Sequence, residues 1–324
     1  MPPPGLTYYP DTRPGISRRR AGRGWSYRAP DGTTIDDREE RRRIAALAVP
    51  PAYEKVWISP RADGHLQATG YDARARKQYR YHPGFREFQE AKKYDQLAAF
   101  GAALPRIRRR VAEDLRGEAG ERDFAIAAVI ALIDQAAIRV GHADYTVENR
   151  TYGATTLTRR HLRLGAGALR LKFKGKGGKP VDTVLKSRTL ERVFGQLHDL
   201  PGRELISWID DEGTPHAVHS GEVNARLSEI VESPGITAKT FRTWAGSEAA
   251  LDAALSAERL TIRALSEAAA ARLSNTPTIA RNSYIHPAVI ALAEEGGDLH
   301  RLTEDLPDTR GLRKTERALL RLIS

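Results

Sequence analysis

The 324-residue chain contains no cysteine. This absence excludes disulfide bonds and thiol nucleophiles, and it removes the soft ligands of most structural zinc sites. The sequence also lacks a run of about eighteen apolar residues, which a membrane-spanning helix would need. Its first residues, Met1 to Gly5, do not form the apolar stretch of a signal peptide. We therefore expect a soluble, cytoplasmic protein with no membrane partner.

The nine histidines are scattered along the chain. One close pair, His216 and His219, lies beside the acidic residues 210–212 and has the composition of a metal site. A loop of solvated polar residues explains the same composition, and we favour that interpretation. We predict no metal site.

Positive charge is in excess. The chain has 52 lysine and arginine residues against 41 aspartate and glutamate residues, a formal net charge of +11. Each basic cluster alone is more often a solvated surface, but their number favours contacts with phosphates of an acidic polymer, which nucleic acid provides. The clusters are Arg18–Arg20, Arg41–Arg43, Arg108–Arg110, Arg159–His161 and the alternating Arg170, Lys172, Lys174 and Lys176.

Length and composition predict two domains of an α+β protein. Residues 1–85 are rich in Arg, Tyr, Gly and Pro and predict a small, sheet-rich N-terminal domain. Residues 86–324 predict a larger, predominantly α-helical domain that carries a small β-hairpin. The predicted strands of the first domain are 24–28, 55–59 and 65–71, with one helix over 36–48. The predicted helices of the second are 87–103, 105–115, 123–140, 223–231, 243–255 and 258–273.

Aromatic and basic residues interleave in the segment 74–82. This mixture is typical of a strand or loop that lies in a DNA groove, with arginines on phosphates and other side chains at base edges. The alternative is an exposed edge strand that is protected by its charge. The candidate DNA contacts in this segment are Lys77, Gln78, Tyr79, Arg80 and Tyr81.

Two basic residues stand at the ends of predicted elements. Apolar residues recur at helical spacing over 123–140, which predicts a core helix with Arg139 at its C-terminal end, where capping alone would explain a positive charge. Alternation over 169–184 predicts a β-hairpin with Lys176 at its glycine-rich tip. The spacing of a nucleotide-binding P-loop is absent, so ATP binding is not indicated.

A short helix is predicted to end at Tyr284. Thr276-Pro277 is typical of a helix start, and His286-Pro287 ends or kinks the helix just after the tyrosine. A lone tyrosine in such a place is more often half-buried in a helical connection than functional. Other parts of the sequence change this judgement.

Five residues, Arg139, Lys176, Arg242, Asn275 and Tyr284, resemble in order and local sequence the active site of type IB DNA topoisomerases, specifically the short branch of poxviral and bacterial enzymes. The resemblance covers nearly the whole chain, and five ordered matches are far more specific than any one. The matching segments are 70–82, 138–141, 148–153, 173–176, 241–244 and 283–287.

The resemblance implies the chemistry of each residue. Tyr284 would attack a DNA phosphodiester to form a 3′-phosphotyrosyl link, after which the nicked strand swivels and is religated. Arg139 and Arg242 would stabilise the pentacoordinate phosphorane, and Lys176 would protonate the leaving 5′ oxygen. The phosphotyrosyl link retains the energy of the broken bond, so no cofactor, ATP or metal is expected.

Asn275 departs from the poxviral pattern, which has a histidine at this position. An amide can still donate a neutral hydrogen bond to a nonbridging oxygen, and a helix-capping role remains the alternative. The family also implies double-stranded DNA as partner, a monomer that closes as a clamp round the duplex, an association with the nucleoid, and further DNA contacts by His142, Tyr145 and Lys239.

Two other function classes remain open. Tyrosine recombinases share the fold and most site residues, but they usually carry histidine three residues before the second arginine, where this chain has Lys239. They generally also assemble through a C-terminal helix, for which residues 312–324 are a candidate. A non-catalytic DNA-binding protein would require Tyr284 to be incidental. The sequence favours the topoisomerase.

Overall fold

The computed structural model of the chain describes residues 2–142, 146, 150–232, 235–296 and 299–324. It has a mixed α/β fold, as the composition predicts, and divides into two compact units, Met1–Lys93 and Tyr94–Ser324. The division between the units falls within the long helix Pro83–Asp114, and the boundary predicted between residues 85 and 86 lies in the same helix.

The first unit is built on a five-stranded antiparallel sheet in the order β2-β1-β3-β4-β5. One helix, α1 (Arg38–Ala46), begins at Asp37, whose carboxylate accepts a hydrogen bond of 2.7 Å from the Glu40 amide. Ile16, Ile44 and Ile58 form the core with smaller apolar residues. The strands are β1 (Ile16–Ala21), β2 (Gly24–Arg28), β3 (Glu54–Ile58), β4 (Leu66–Tyr71) and β5 (Lys77–Tyr81).

The second unit is mainly helical around the helix Arg122–Ala136, most of whose residues are buried. Its described helices are the C-terminal part of α2 (Pro83–Asp114), α3 (Arg122–Ala136), α4 (Arg188–His198), α5 (Ser220–Val231), α6 (Ala238–Ser256), α7 (Ile262–Leu273), α8 (Pro277–Tyr284), α9 (Pro287–Glu294), α10 (Leu299–Thr303) and α11 (Lys314–Ile323). A three-stranded antiparallel sheet contains β6 (Leu162–Gly165), β7 (Ala168–Lys174) and β8 (Pro180–Lys186), and a separate hairpin contains β9 (Ser207–Ile209) and β10 (Pro215–Ala217).

Several helix boundaries differ from those predicted. The proline at position 105 does not split α2, because Phe100, Leu104 and Ile107 are fully buried on either side of it. Burial of three large side chains at about 1.5 to 3 kcal/mol each outweighs a cost of about 3 kcal/mol for an interior proline. Helix α6 begins five residues before the predicted position 243, and α7 begins four residues after position 258.

The end of α3 also differs from the prediction, and this difference affects the site directly. Helix α3 ends at Ala136, and Ala137 adopts a left-handed conformation with φ 51° while its amide donates to the Ile133 carbonyl. The prediction that Arg139 ends a helix was therefore wrong. Arg139 lies in the segment that follows the helix, where its side chain is not constrained to a helix face.

The histidine pair of the acidic segment is divided between two elements, because His216 lies on β10 and His219 directly precedes α5. Nε2 of His216 lies 2.6 Å from Oδ2 of Asp210 across the β9-β10 hairpin. Nowhere in the described part of the chain do three or more His, Cys, Asp or Glu residues group so that they could hold a metal ion. None of the described helices is both long and apolar enough to span a membrane.

Candidate active site

Two helix C-termini meet at the buried side chain of Arg242. The guanidinium donates hydrogen bonds to the carbonyl of Ala137, which caps α3, and at 3.1 Å to the carbonyl of Leu273, the last residue of α7. Carbonyls at helix C-termini carry partial negative charge and favour a cation. Arg242 is only 3% exposed, and its Nε has no hydrogen-bond partner among the described residues. Arg242 therefore connects the C-terminal ends of α3 and α7, while its Nε donor remains unpaired among the described residues.

Arg139 follows the end of α3 and is held through its backbone. Its carbonyl accepts a hydrogen bond of 2.9 Å from Ala154, and the Val140 carbonyl accepts one of 2.8 Å from Thr155. Gly153 makes this approach possible, because a Cβ there would lie 2.6 Å from the Arg139 carbonyl oxygen. Within the described ranges, the Arg139 side chain has no ion-pair or hydrogen-bond partner, so its charge is available to a ligand.

Lys176 lies in the turn between β7 and β8, as predicted. The turn is closed by a hydrogen bond of 2.7 Å from the Gly175 amide to the Lys179 carbonyl, and Gly177 and Gly178 have φ of 75° and 78°, which glycine adopts readily. Arg139, Lys176 and Arg242 line one small notch. Its described lining includes no carboxylate and consists of Ala136, Ala137, Ile138, Arg139, Tyr152, Phe173, Gly175, Lys176, Val181, Arg242, Leu273 and Ser274. We call it the cationic notch.

Asn275 directly follows Ser274, the left-handed cap of α7. Its Oδ1 accepts a hydrogen bond of 3.3 Å from Lys179, whereas its buried Nδ2 has no partner among the described residues. The side chain that caps α8 belongs to Thr276, whose Oγ1 accepts from the Ile279 amide at 3.3 Å. The helix-capping interpretation of Asn275 is therefore wrong. A buried donor without a partner costs about 1 to 3 kcal/mol, which an acceptor on a ligand would recover.

Tyr284 is the last residue of α8, as predicted, and it is buried more deeply than the half-buried alternative implies, with 8% exposure. Its side chain packs against Ala137, Ala245 and Leu273, and the Arg242 guanidinium carbon lies 5.1 Å from its ring centroid. The nearby chain reversal is fixed because Ser247 Oγ donates to the Tyr284 carbonyl at 3.2 Å and accepts from the His286 amide at 2.9 Å. The tyrosine is thus held against Arg242.

Burial and like charge shift the pKa values of the two partners. Burial, followed by the charge of Arg139, lowers the pKa of Arg242 to about 10, so the group is still a cation at neutral pH. Burial by itself would raise the pKa of Tyr284. The charges of Arg242, Arg139 and Lys239 and a hydrogen bond with Arg242 outweigh burial and lower the pKa below 10. The field around the hydroxyl therefore favours the anion.

The candidate DNA contacts of the first unit lie on β5, an edge strand. Lys77 pairs with Asp11 at 2.5 Å, Gln78 donates to Asp72 at 3.0 Å, and Arg80 donates to the Ala48 carbonyl at 3.2 Å. Two tyrosines on this strand remain exposed, by 48% at position 79 and 41% at position 81, and their rings stack with centroids 6.0 Å apart. These two rings are the exposed aromatic groups of β5.

The remaining predicted contacts lie in the second unit or outside the description. Lys239 is exposed on α6 one turn before Arg242, and His142 is exposed two residues after Val140. Tyr145, with Glu148 and Asn149 of the matching segment 148–153, lies outside the described residues.

Several supporting residues were missed in the sequence. Lys179 bonds Asn275, and Arg272 donates to the Gln135 carbonyl at 2.9 Å, a further link to the end of α3. Gly246 lets α6 approach the tyrosine, because a Cβ there would lie 2.7 Å from the Tyr284 carbonyl oxygen. Only Lys179 had a visible signal, since it stands directly beside the predicted hairpin tip.

The chain matches two family models. Residues 24–72 match the bacterial DNA topoisomerase IB N-terminal domain, and residues 82–286 match the eukaryotic DNA topoisomerase I catalytic core. The chain is 26% identical over 286 residues to DNA topoisomerase 1B of Acanthamoeba polyphaga mimivirus, covering 84% of this chain and 85% of that protein. It is 21% identical over 256 residues to DNA topoisomerase I of monkeypox virus, covering 75% and 76% of the two chains.

Proposed function

The chain belongs to the type IB DNA topoisomerase family, whose members are isomerases that act on DNA, and we propose that it relaxes both positive and negative supercoils by cutting one strand at a time. The cut strand is held through a 3′-phosphotyrosyl link, swivels about the intact strand, and is religated. Neither ATP nor a metal ion takes part.

One observation carries this proposal. A buried tyrosine hydroxyl lies in the field of Arg139 and Arg242, and the cationic notch beside Arg242 is also lined by Lys176 and has no carboxylate among its described lining residues. Like charges repel, so an anion that enters the notch relieves the repulsion between the cations and lowers the free energy. A phosphodiester supplies that anion, and forked guanidinium groups suit its oxygens.

The attack would begin at Tyr284. Once its hydroxyl proton has passed to water, its oxygen forms a bond to phosphorus as the bond from phosphorus to the 5′ oxygen breaks, and the phosphorane between them carries extra negative charge. Arg139 and Arg242 stabilise that charge, and the unpaired Nδ2 of Asn275 donates to a nonbridging oxygen. Lys176 gives a proton to the leaving 5′ oxygen, because an alkoxide is a poor leaving group.

Religation reverses these steps. The 5′ hydroxyl returns its proton to Lys176 and attacks phosphorus, and Tyr284 leaves. One phosphodiester replaces another in each direction, so the bond energy is conserved in the intermediate. The lowered pKa of Tyr284 serves both directions, since it makes the phenolate easier to form and a better leaving group.

Double-stranded DNA is the proposed partner. By resemblance to the family, we propose that a monomer closes round the duplex as a clamp. Within the first unit, the exposed pair Tyr79 and Tyr81 offers rings for contact with DNA. The excess of basic residues predicts that binding weakens steeply as salt rises.

Plasmid relaxation tests the proposal. Purified protein is incubated with positively or negatively supercoiled plasmid in EDTA without nucleotide, and topoisomers are separated on agarose gels. We expect both substrates to relax, and we expect Tyr284→Phe to bind plasmid without relaxing it. A strict requirement for magnesium or nucleotide, or full relaxation by Tyr284→Phe, would refute the proposed mechanism.

A further inference from the structure

A second basic cavity lies beside the small sheet of the helical unit. It encloses about 820 Å³ and is lined by residues from β7, β8 and the segments around them. Along β7, Leu171 and Phe173 are buried, whereas Lys172 and Lys174 alternate with them and are exposed. The basic residues that line it are Arg150, Arg160, Lys172, Lys174 and Arg203. We call this cavity the basic pocket.

The charge of the basic pocket is not balanced by its own residues. Asp182 is the one carboxylate among its described lining residues, and Arg170 occupies both oxygens of that group at 2.7 Å each. Within the described part of the chain, Lys172, Lys174 and Arg203 form no ion pair. On this strand Arg170 forms the ion pair with Asp182. Lys172 lies opposite the same carboxyl, but its charge contributes less to the lowered pKa of Asp182 than Arg170 does.

A buried histidine shows the positive character of the same wall. His161 lines the basic pocket, and burial, followed by the neighbouring charge of Arg160, lowers the pKa of its imidazole. Arg160 also donates a hydrogen bond of 2.5 Å to the hydroxyl of Tyr152, another residue that lines the pocket. Four other cations are left to face the cavity.

The basic pocket adjoins the cationic notch. Tyr152, Phe173 and Val181 line both cavities, so the two share a wall. The β7-β8 hairpin also connects them, because it carries Lys172 and Lys174 on its strand and Lys176 in its turn. A polyanion that places one phosphate in the notch can therefore place another in the pocket.

We propose that the basic pocket binds backbone phosphates of the DNA strand whose scissile phosphate occupies the cationic notch. This inference rests on the proposed function, and it assigns Lys172, Lys174 and Arg203 as phosphate contacts outside the reacting centre. Phosphate contacts of this kind fix the register of the strand and carry no base sequence. The strand of the hairpin that precedes Lys176 would then be anchored on DNA.

The test uses equilibrium binding in the Tyr284→Phe background, so that its outcome does not depend on cleavage. Fluorescence anisotropy gives the affinity for a fixed labelled duplex across a salt series. Each lysine that contacts a phosphate contributes about one to the slope of log affinity against log salt. We expect Lys172→Gln with Lys174→Gln to lower that slope by about two, and Lys172→Arg with Lys174→Arg to restore it.

Lys186→Gln is the matched control. Lys186 is exposed at the far end of β8, on the same sheet, and is not among the residues that line the pocket. We expect it to leave the slope unchanged. Thermal melting of every variant checks that the fold is retained.

A duplex series with single neutral methylphosphonates locates the contact. We expect one or two positions on the cleaved strand, close to the scissile phosphate, to weaken binding by the protein with both lysines and to have no further effect on the double variant. An unchanged salt slope in the double variant would overturn the proposal. The proposal would also be overturned if each methylphosphonate weakened DNA binding equally for the protein with both lysines and for the double variant. A third contradicting result is that inorganic tripolyphosphate binds to the pocket while the salt slope of DNA binding is unchanged in the double variant.

Plasmid relaxation is measured separately, with the protein that retains Tyr284. If relaxation fails while the salt slopes change as expected, the proposed reaction is wrong and the phosphate site stands. If relaxation succeeds while the slopes do not change, the phosphate site is wrong and the reaction stands.

Discussion

At the scale of single residues, the site is defined by positive charge around one buried hydroxyl. Arg242 is held by helix carbonyls and keeps its Nε unpaired, Arg139 has no partner within the described ranges, and the Nδ2 of Asn275 is buried without an acceptor. The buried guanidinium of Arg242 and the buried amide nitrogen of Asn275 each carry a desolvation cost in the free protein. An anion that accepts hydrogen bonds from these two groups would offset both costs, and the proposed function assigns that place to a DNA phosphate beside Tyr284.

The first prediction concerns the pKa of Tyr284. The positive charges around it lower this pKa below 10, so removing one of them should raise it. Lys239→Gln takes away a charge that contributes to the shift and leaves Arg139 and Arg242 in place. The absorbance of tyrosinate is titrated in each protein and in its Tyr284→Phe counterpart, and the difference isolates Tyr284. An unchanged or lower pKa in Lys239→Gln would contradict this account of the field.

The second prediction concerns Lys176 as the proton donor. In Lys176→Ala the leaving 5′ oxygen receives no proton, and we expect single-turnover cleavage to slow by about 10² or more. A substrate with sulfur at the bridging 5′ position should restore the rate, because a thiolate leaves without protonation. Lys186→Gln, which removes a lysine at the far end of the same hairpin, should show neither effect. Failure of the sulfur substrate to rescue Lys176→Ala would exclude the general-acid role.

Single residues of the site differed in how well the sequence predicted them. Tyr284 and Lys176 were placed correctly because prolines and glycines fix the ends of their elements locally. Arg139 was placed on the wrong element, since the apolar pattern of α3 continues past the left-handed turn at Ala137. The unpaired Nδ2 of Asn275 could not be predicted from the sequence. An asparagine at this position can cap the next helix, and here the neighbouring Thr276 side chain caps it instead.

At the scale of elements, a buried ionic network connects α11 to the helix that carries Arg242. Glu316 on α11 is fully buried and accepts two hydrogen bonds of 2.8 Å from Arg108 on α2 and one of 3.3 Å from the indole of Trp244 on α6. Arg108 also holds Asp134 on α3. Trp244 lies two residues after Arg242, so this network fixes α6 next to the site.

The third prediction tests that network. Glu316→Gln leaves Arg108 with one carboxylate fewer in a buried place, and we expect it to lower the free energy of unfolding by about 3 to 5 kcal/mol. The exposed Glu267→Gln on α7, which loses an i,i+4 pair with Arg263, should cost less than about 0.5 kcal/mol. Urea unfolding measures both. Equal losses in the two variants would show that the Glu316 network does not stabilise the fold.

The network also predicts an acid dependence. Burial would raise the pKa of Glu316, but its hydrogen bonds with Arg108 and the Arg313 amide outweigh burial and lower it. A lowered carboxyl pKa gives stability that is complete above the ordinary value near 4.5 and is lost as pH falls through the folded value. Below pH 4.5 the stability difference between wild type and Glu316→Gln should therefore shrink.

The elements show why sequence patterns located helices better than their ends. The buried periodicity of α3 and the strong turn at residues 175–178 are local, and both elements were predicted. The continuity of α2 through Pro105 depends on contacts made by Leu104 and Ile107 with distant parts of the chain. The Arg108–Glu316 pair joins residues 208 positions apart, which no local pattern indicates.

At the scale of the whole molecule, the chain combines a five-stranded sheet unit with a helical unit, and the family models cover parts of both. The net charge of +11 and the clustered arginines favour binding to a polyanion along an extended surface. The fold class was predictable because composition differs between the two halves. The family was predictable only from the order of five residues that are far apart in the sequence.

The most direct test of the central claim is to trap and map the covalent intermediate. The protein is mixed with plasmid in EDTA, the reaction is stopped with detergent, and the linked peptide and DNA end are identified by mass spectrometry and end labelling. The account predicts protein attached through Tyr284 to a 3′ phosphate, with a free 5′ hydroxyl on the other side of the nick. Attachment through another residue or to a 5′ phosphate, or relaxation with no covalent adduct, would contradict it.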